Sequence, residues 1–336
     1  MKSKNRIFIG IFSSLAMLLL ILDTKTALSG ASEGITMCLY TVIPSLFPFF
    51  FLSTLLCSTL VGDQIPALRP LGKLCGIPAG GESLLVLGLI GGYPVGAQSI
   101  YQAYRSGQLS ESDARRMLGF CNNAGPSFIF GMAASLFTSP YAPWLIWLLH
   151  ILSALLVGML LPGKGTGSCA ISPSAPVTVP QALEKSCRIM VNVCGWVISF
   201  RVILAFCQRW FLWLLPKELQ VGFTGLMEMS NGCYSLSMLS SERVRFVMCV
   251  CILSLGGLCV AMQTASATKE LGTGMYFPGK MLQCVISFTL AAMVQGLLFP
   301  GTDPLTGFGV LTATLLFTFC LLAIGLHKRK KVVAIR

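Results

Sequence analysis

Twenty consecutive residues from Ala142 to Leu161 contain no Asp, Glu, Lys or Arg. At ~1.5 Å per residue, a helix of that length crosses the ~30 Å hydrocarbon layer of a bilayer. Apolar runs of this kind recur along the chain, at residues 7–22, 35–61, 118–137, 143–161, 186–215, 244–263, 281–299 and 308–326. Backbone in lipid must satisfy its own hydrogen bonds, which leaves only a helical bundle or a closed barrel. Barrel strands alternate apolar and polar residues over ~10-residue segments, whereas these runs are apolar all round. The expected fold class is an all-α polytopic membrane protein with about eight transmembrane helices. With 11% charged and 54% hydrophobic residues, the chain lies far from the ~25% charged content of soluble enzymes.

Charge supplies the topology. Lys2, Lys4 and Arg6 precede the first run, and Lys328, Arg329, Lys330 and Lys331 follow the last. By the positive-inside bias both termini are cytoplasmic, which requires an even number of crossings. The net charge of +12 then reads as membrane orientation, and nucleic acid is not expected as a partner. Residues 1–34 form a signal-anchor-like span, because Asp23 and Lys25 follow the run directly with no small-x-small cleavage site. The 14 cysteines form no Cys-x-x-Cys pair and mostly sit within apolar runs. They read as small hydrophobes, and neither a metal site nor a cofactor is expected.

Two further apolar segments, 82–98 and 222–239, are interrupted by Gly, Pro and polar residues. Both are expected to be re-entrant or broken. A Gly, Ser and Pro-rich linker at 162–180 divides the chain. The first part, 35–161, runs span, broken segment, Ser110-Glu111 with following arginines, then two spans; the second, 181–300, repeats that order around Ser241-Glu242. Residues 301–336 add the last span and the basic tail. With the topology above, the two parts have opposite orientations, which is the inverted-repeat pattern of secondary transporters.

Several polar residues fall where substrate or hinge chemistry is expected. In Gly91-Gly92-Tyr93-Pro94-Val95-Gly96-Ala97-Gln98, Pro94 removes a donor while Gly92 and Gly96 expose backbone, leaving Tyr93 and Gln98 to face a solute. The spacing of Gly88, Gly92 and Gly96 equally fits close helix packing. Asn122, Asn123, Pro126 and Ser127 insert polar groups and a helix breaker into an apolar run, and Glu228, Ser230, Asn231 and Gly232 are their counterparts. Glu228 can pair with a base, carry a proton or hold a cation. Arg201 lies thirteen residues beyond Arg188, about 20 Å up a helix and near mid-membrane. A guanidinium there needs a carboxylate, either internal (Glu228 or Glu82) or belonging to a bound anion. Gln263, at the end of its run, is a further candidate. No catalytic role is assigned: Gly165 spoils the phosphate-loop spacing of 158–164, and with only His150 and His327 no His-Glu-x-x-His exists. The expected partners are a small anionic substrate, the lipid bilayer, a coupling H+ or Na+ and, for assembly, a second copy of the chain.

Four blocks carry a family resemblance: Gly-Gly-Tyr-Pro-Val-Gly-Ala (91–97), Phe-Cys-Asn-Asn-Ala-Gly-Pro-Ser-Phe-Ile-Phe-Gly (120–131), Glu-Met-Ser-Asn-Gly (228–232) and Gly-Gly-Leu-Cys-Val-Ala-Met-Gln (256–263). In that order they resemble the sporulation integral membrane proteins of the YlbJ type, with their nucleoside-recognition, or Gate, domain. The Gate domain is similar to parts of concentrative nucleoside transporters. What the resemblance implies is action at the outer forespore membrane, moving dipicolinate, a planar aromatic dianion. The chain departs from the pattern at Gln98, where a Lys often stands, and at Ala261 or Met262, where a His can occur.

Overall fold

The computed structural model describes residues 2–60, 65–133, 135–163 and 177–299. The expected span at 308–326, the basic tail and most of the linker lie outside the described residues. Helix α1 (Lys2–Leu22) ends at Asp23, and α2 (Thr24–Met37), a π turn (Cys38–Val42) and α3 (Ile43–Leu60) then run on without a break as one long rod. Short α4 (Arg69–Leu74) leads to α5 (Glu82–Ile90) and α6 (Val95–Arg105), then α7 (Glu111–Met117), α8 (Pro126–Ala133) and α9 (Ala142–Leu160). The second half contains α10 (Val179–Trp210), α11 (Lys217–Met227), α12 (Met229–Ser235), α13 (Glu242–Leu255), α14 (Gly257–Thr268) and α15 (Tyr276–Leu298). No strand occurs among the described residues. The protein is all-α, and among the described residues five helical stretches are long and apolar enough to cross a bilayer.

The segment at 118–137, expected as one span, is not a continuous helix. Pro126 cannot donate to the preceding turn, so α7 and α8 are separated by an unwound segment at 121–125. The segment at 244–263 is likewise divided between α13 and α14, because Gly256 and Gly257 adopt φ of +76° and +75°, a region L side chains avoid.

Local signals repeat between the halves. Ser110 Oγ caps α7 by accepting from the Asp113 amide at 3.1 Å, and Ser241 Oγ caps α13 from the Val244 amide at 3.5 Å. After the long rod, α5 folds back on α6, an interrupted helix follows (α7 and α8), then the continuous α9. After α10, α11 folds back on α12, then come interrupted α13 and α14 and continuous α15.

Candidate functional site

The first hairpin turns at Gly91–Pro94. Gly92 takes φ of +76°, and the Tyr93–Pro94 peptide is cis. Gly88 and Gly96 lie on opposite arms, and a Cβ on either would overlap the Cys121 carbonyl oxygen. Their spacing therefore serves backbone packing: the hairpin closes directly on the unwound segment. That segment is held by its carboxamides. Asn122 Oδ1 accepts from the Ala97 amide at 3.2 Å, and Asn122 Nδ2 donates to Thr264 Oγ1 on α14 at 3.0 Å. The Asn123 amide donates to the Gly88 carbonyl at 3.1 Å. These side chains replace the helix bonds that the break forfeits.

The second hairpin turns at Glu228, whose backbone is extended. Its carboxylate accepts from the amides of Ser230 at 3.0 Å and Asn231 at 2.7 Å, and from Asn231 Nδ2 at 2.6 Å. A carboxylate at the start of α12 is favoured by the unpaired amides there. Gly225 and Gly232 let the arms touch, and Gly257 sits against the carbonyls of Gly225 and Leu226. Each hairpin thus rests on the break of its own half. The first also reaches the other half: Tyr93 donates through its hydroxyl to the Leu253 carbonyl at 3.3 Å, which an uninterrupted helix would pair with the Gly257 amide.

Behind the unwound segment lies a polar network in an apolar core. Lys280, 1% exposed, donates to Asn123 Oδ1 at 2.9 Å and to Gln283 Oε1 at 2.7 Å. Its Nζ also lies 5.2 Å from the centre of the Tyr93 ring. His150 Nε2 accepts from the Ala124 amide at 3.1 Å, and Ser254 and Ser287 join their hydroxyls at 2.6 Å. Neither Lys280 nor Gln283 was expected from the sequence. A Lys before an apolar run reads as an interface anchor; the available signal was a Lys and a Gln three residues apart, on one helix face.

On the other side of the hairpin turn is a cavity of ≈ 290 Å³. Pro94 and Gln98 form one wall, Gln263 and Ser266 of α14 another, and Lys185, Arg188 and Asn192 of α10 a third. Amide and hydroxyl groups converge there beside two cations, a lining suited to a small polar anion. Arg188 also pairs with Glu184 at 2.7 Å and is largely exposed.

The chain is 30% identical over 167 residues to the sporulation integral membrane protein YlbJ of Bacillus subtilis (strain 168). Over that stretch the chain is similar to a sporulation integral membrane protein of the YlbJ type. The likeness covers 48% of this chain and 40% of that relative, so the chain spans well under half the length of the curated protein it matches. No family model and no solved structure matches. The relationship and the apolar helices together make this an integral membrane protein.

Of the residues expected to form a site, Gln98 and Gln263 line the cavity beside the hinge residue Pro94. Tyr93, Gly92 and Gly96 build the hairpin, and Asn122 and Asn123 hold the break behind it. Pro126 and Ser127 open α8. Glu228, Ser230, Asn231 and Gly232 gather in the second hairpin, where Glu228 forms no ion pair among the described residues. Arg201 stands apart from all of these. It pairs with Glu33 of α2 and donates to Gln208 Oε1 at 3.0 Å. Neither carboxylate considered for it is its partner, since Glu82 is held by Arg69 at 2.6 Å and by the Gly80 amide at 2.9 Å.

Proposed function

We propose that the chain is a secondary-type transporter of a small anionic solute, with dipicolinate the first candidate, acting in the outer forespore membrane during sporulation. The supporting observation is the cavity bounded by Pro94, Gln98, Gln263 and Arg188. It abuts the turn of a hairpin that closes on an interrupted helix. Hairpins and broken helices place irregular backbone where it lines a solute path, as in transporters built from inverted repeats. Two carboxamides beside cations complement a planar dianion, and the cytoplasmic orientation of both termini puts Lys185 and Arg188 on the mother-cell side. The action is binding and alternating access of the two hairpin units, with no bond made or broken. The relative's printed role in sporulation supports the cellular setting.

Purified protein in proteoliposomes, offered labelled dipicolinate beside uridine, tests this. Saturable dipicolinate uptake that is lost in the Gln98→Leu/Gln263→Leu variant is expected. Uridine uptake would move the assignment to the nucleoside class, in line with the Gate-type resemblance. Uptake of neither would leave a non-transporting role in membrane assembly.

A further inference from the structure

We propose that Asn123 Oδ1, Gln283 Oε1 and the face of Tyr93 form a monovalent-cation site, which this chain fills with the tethered ammonium of Lys280. Which atoms face Nζ follows from their other partners. Asn123 Nδ2 donates to the carbonyls of Gly88 at 3.2 Å and Phe120 at 2.7 Å. Those groups only accept, so the Asn123 oxygen must face Lys280. Gln283 Nε2 donates to Asn123 Oδ1 at 3.1 Å and to the His150 carbonyl at 3.3 Å, which turns Oε1 onto Nζ. The Tyr93 ring adds its electron-rich face.

Beside the ammonium stand the buried Cys121 thiol and a neutral imidazole. His150 Nε2 accepts the Ala124 amide, so the ring hydrogen sits on Nδ1, directed at Ser254 Oγ 3.4 Å away. No carboxylate among the described residues lies within ion-pair distance of Lys280. Two amide oxygens and a ring face around a buried position are the ligands of a small cation, not of one half of a salt bridge. Through Asn123 the ammonium braces the unwound segment on which the first hairpin closes. A dissolved cation is therefore unnecessary at this junction. The assignment concerns stability and stands independently of the transport reading.

Thermal unfolding of the full chain in detergent tests it, for wild type and Lys280→Ala, in choline, sodium or n-propylammonium chloride. Replacing Lys by Ala removes three methylenes and the ammonium, the outline of n-propylammonium. Wild type is expected to unfold at one temperature in all three salts. Lys280→Ala should unfold lower in choline and recover most of the loss in n-propylammonium, with a smaller recovery in sodium. Lys280→Met, whose side chain fills the vacated space, should not recover. An unchanged melting temperature in Lys280→Ala, no response to either cation, or an equal n-propylammonium gain in wild type would overturn the assignment. If Lys280→Ala does not fold in choline, purification with and without n-propylammonium decides: folded protein only with the amine supports the site, and none in either refutes it.

Discussion

The hydroxyl of Tyr93, at the turn of the first hairpin, donates to the carbonyl of Leu253, 160 positions away and just before the second interrupted helix breaks. One side chain from the first half thus satisfies backbone freed in the second. Tyr93→Phe keeps the ring over Lys280 but strands a buried acceptor. Its expected cost is about 1–3 kcal/mol, read as a lower melting temperature. Tyr93→Leu, which also removes the ring face, should cost more; equal stability of the two variants would show that the ring contributes nothing.

Gly96 and Gly195 make opposite predictions from the same substitution. A Cβ at Gly96 meets the Cys121 carbonyl, whereas one at Gly195 on α10 meets nothing within 4 Å. Gly96→Ala should destabilise by about 1–3 kcal/mol as the hairpin is forced off the break. Gly195→Ala should be neutral or stabilise by up to about 1 kcal/mol, from helix propensity alone. Thermal unfolding of both variants beside wild type reads the contrast.

Arg201 and Glu33 tie α10 to α2. Each single alanine variant is expected to lower the melting temperature, and the double variant to lose less than the sum, with a coupling of about 1 kcal/mol for this partly exposed pair. Additive losses would show that the pair does not act as a unit. Because the cavity wall does not include Arg201, the KM for anion uptake should stay within about twofold in Arg201→Ala protein that has folded.

Gln98→Leu and Gln263→Leu should each raise the KM for anion uptake about tenfold, the value of one lost hydrogen bond to a charged group, with little change in melting temperature. Arg188→Gln should reduce the uptake rate at low salt and matter less as ionic strength rises, since the side chain is largely exposed. Uptake from liposomes at two salt concentrations distinguishes the cases.

Much of the architecture was legible because it follows from local chemistry. Ala142 to Leu161 had to be a span, and Ser110 and Ser241, which mark the repeated order of elements, turn out to cap the starts of α7 and α13. Gly92 and Pro94 marked a break, and a break is there. The region at 118–137 was misjudged as one span because hydropathy counts side chains, whereas Pro126 acts by removing a backbone donor. Arg201 looked like the strongest charge in the membrane on helical rise alone. Its partner, Glu33, lies 168 positions away on a helix whose rotation about α10 no local pattern specifies.

From its sequence alone the protein is bound to be a helical membrane protein with two broken segments, because the bilayer leaves an apolar backbone no other way to satisfy its hydrogen bonds. Which polar groups meet was decided only by the tertiary structure. Lys280 became a buried cation because α15 packs against α9 and α13 and brings its first turns up to the break at Asn123. Gln98 and Gln263 share a cavity because α6 packs on α14. Pairings across more than a hundred residues depend on helix rotation and crossing, set by the sum of many weak contacts, and no single stretch of sequence encodes them.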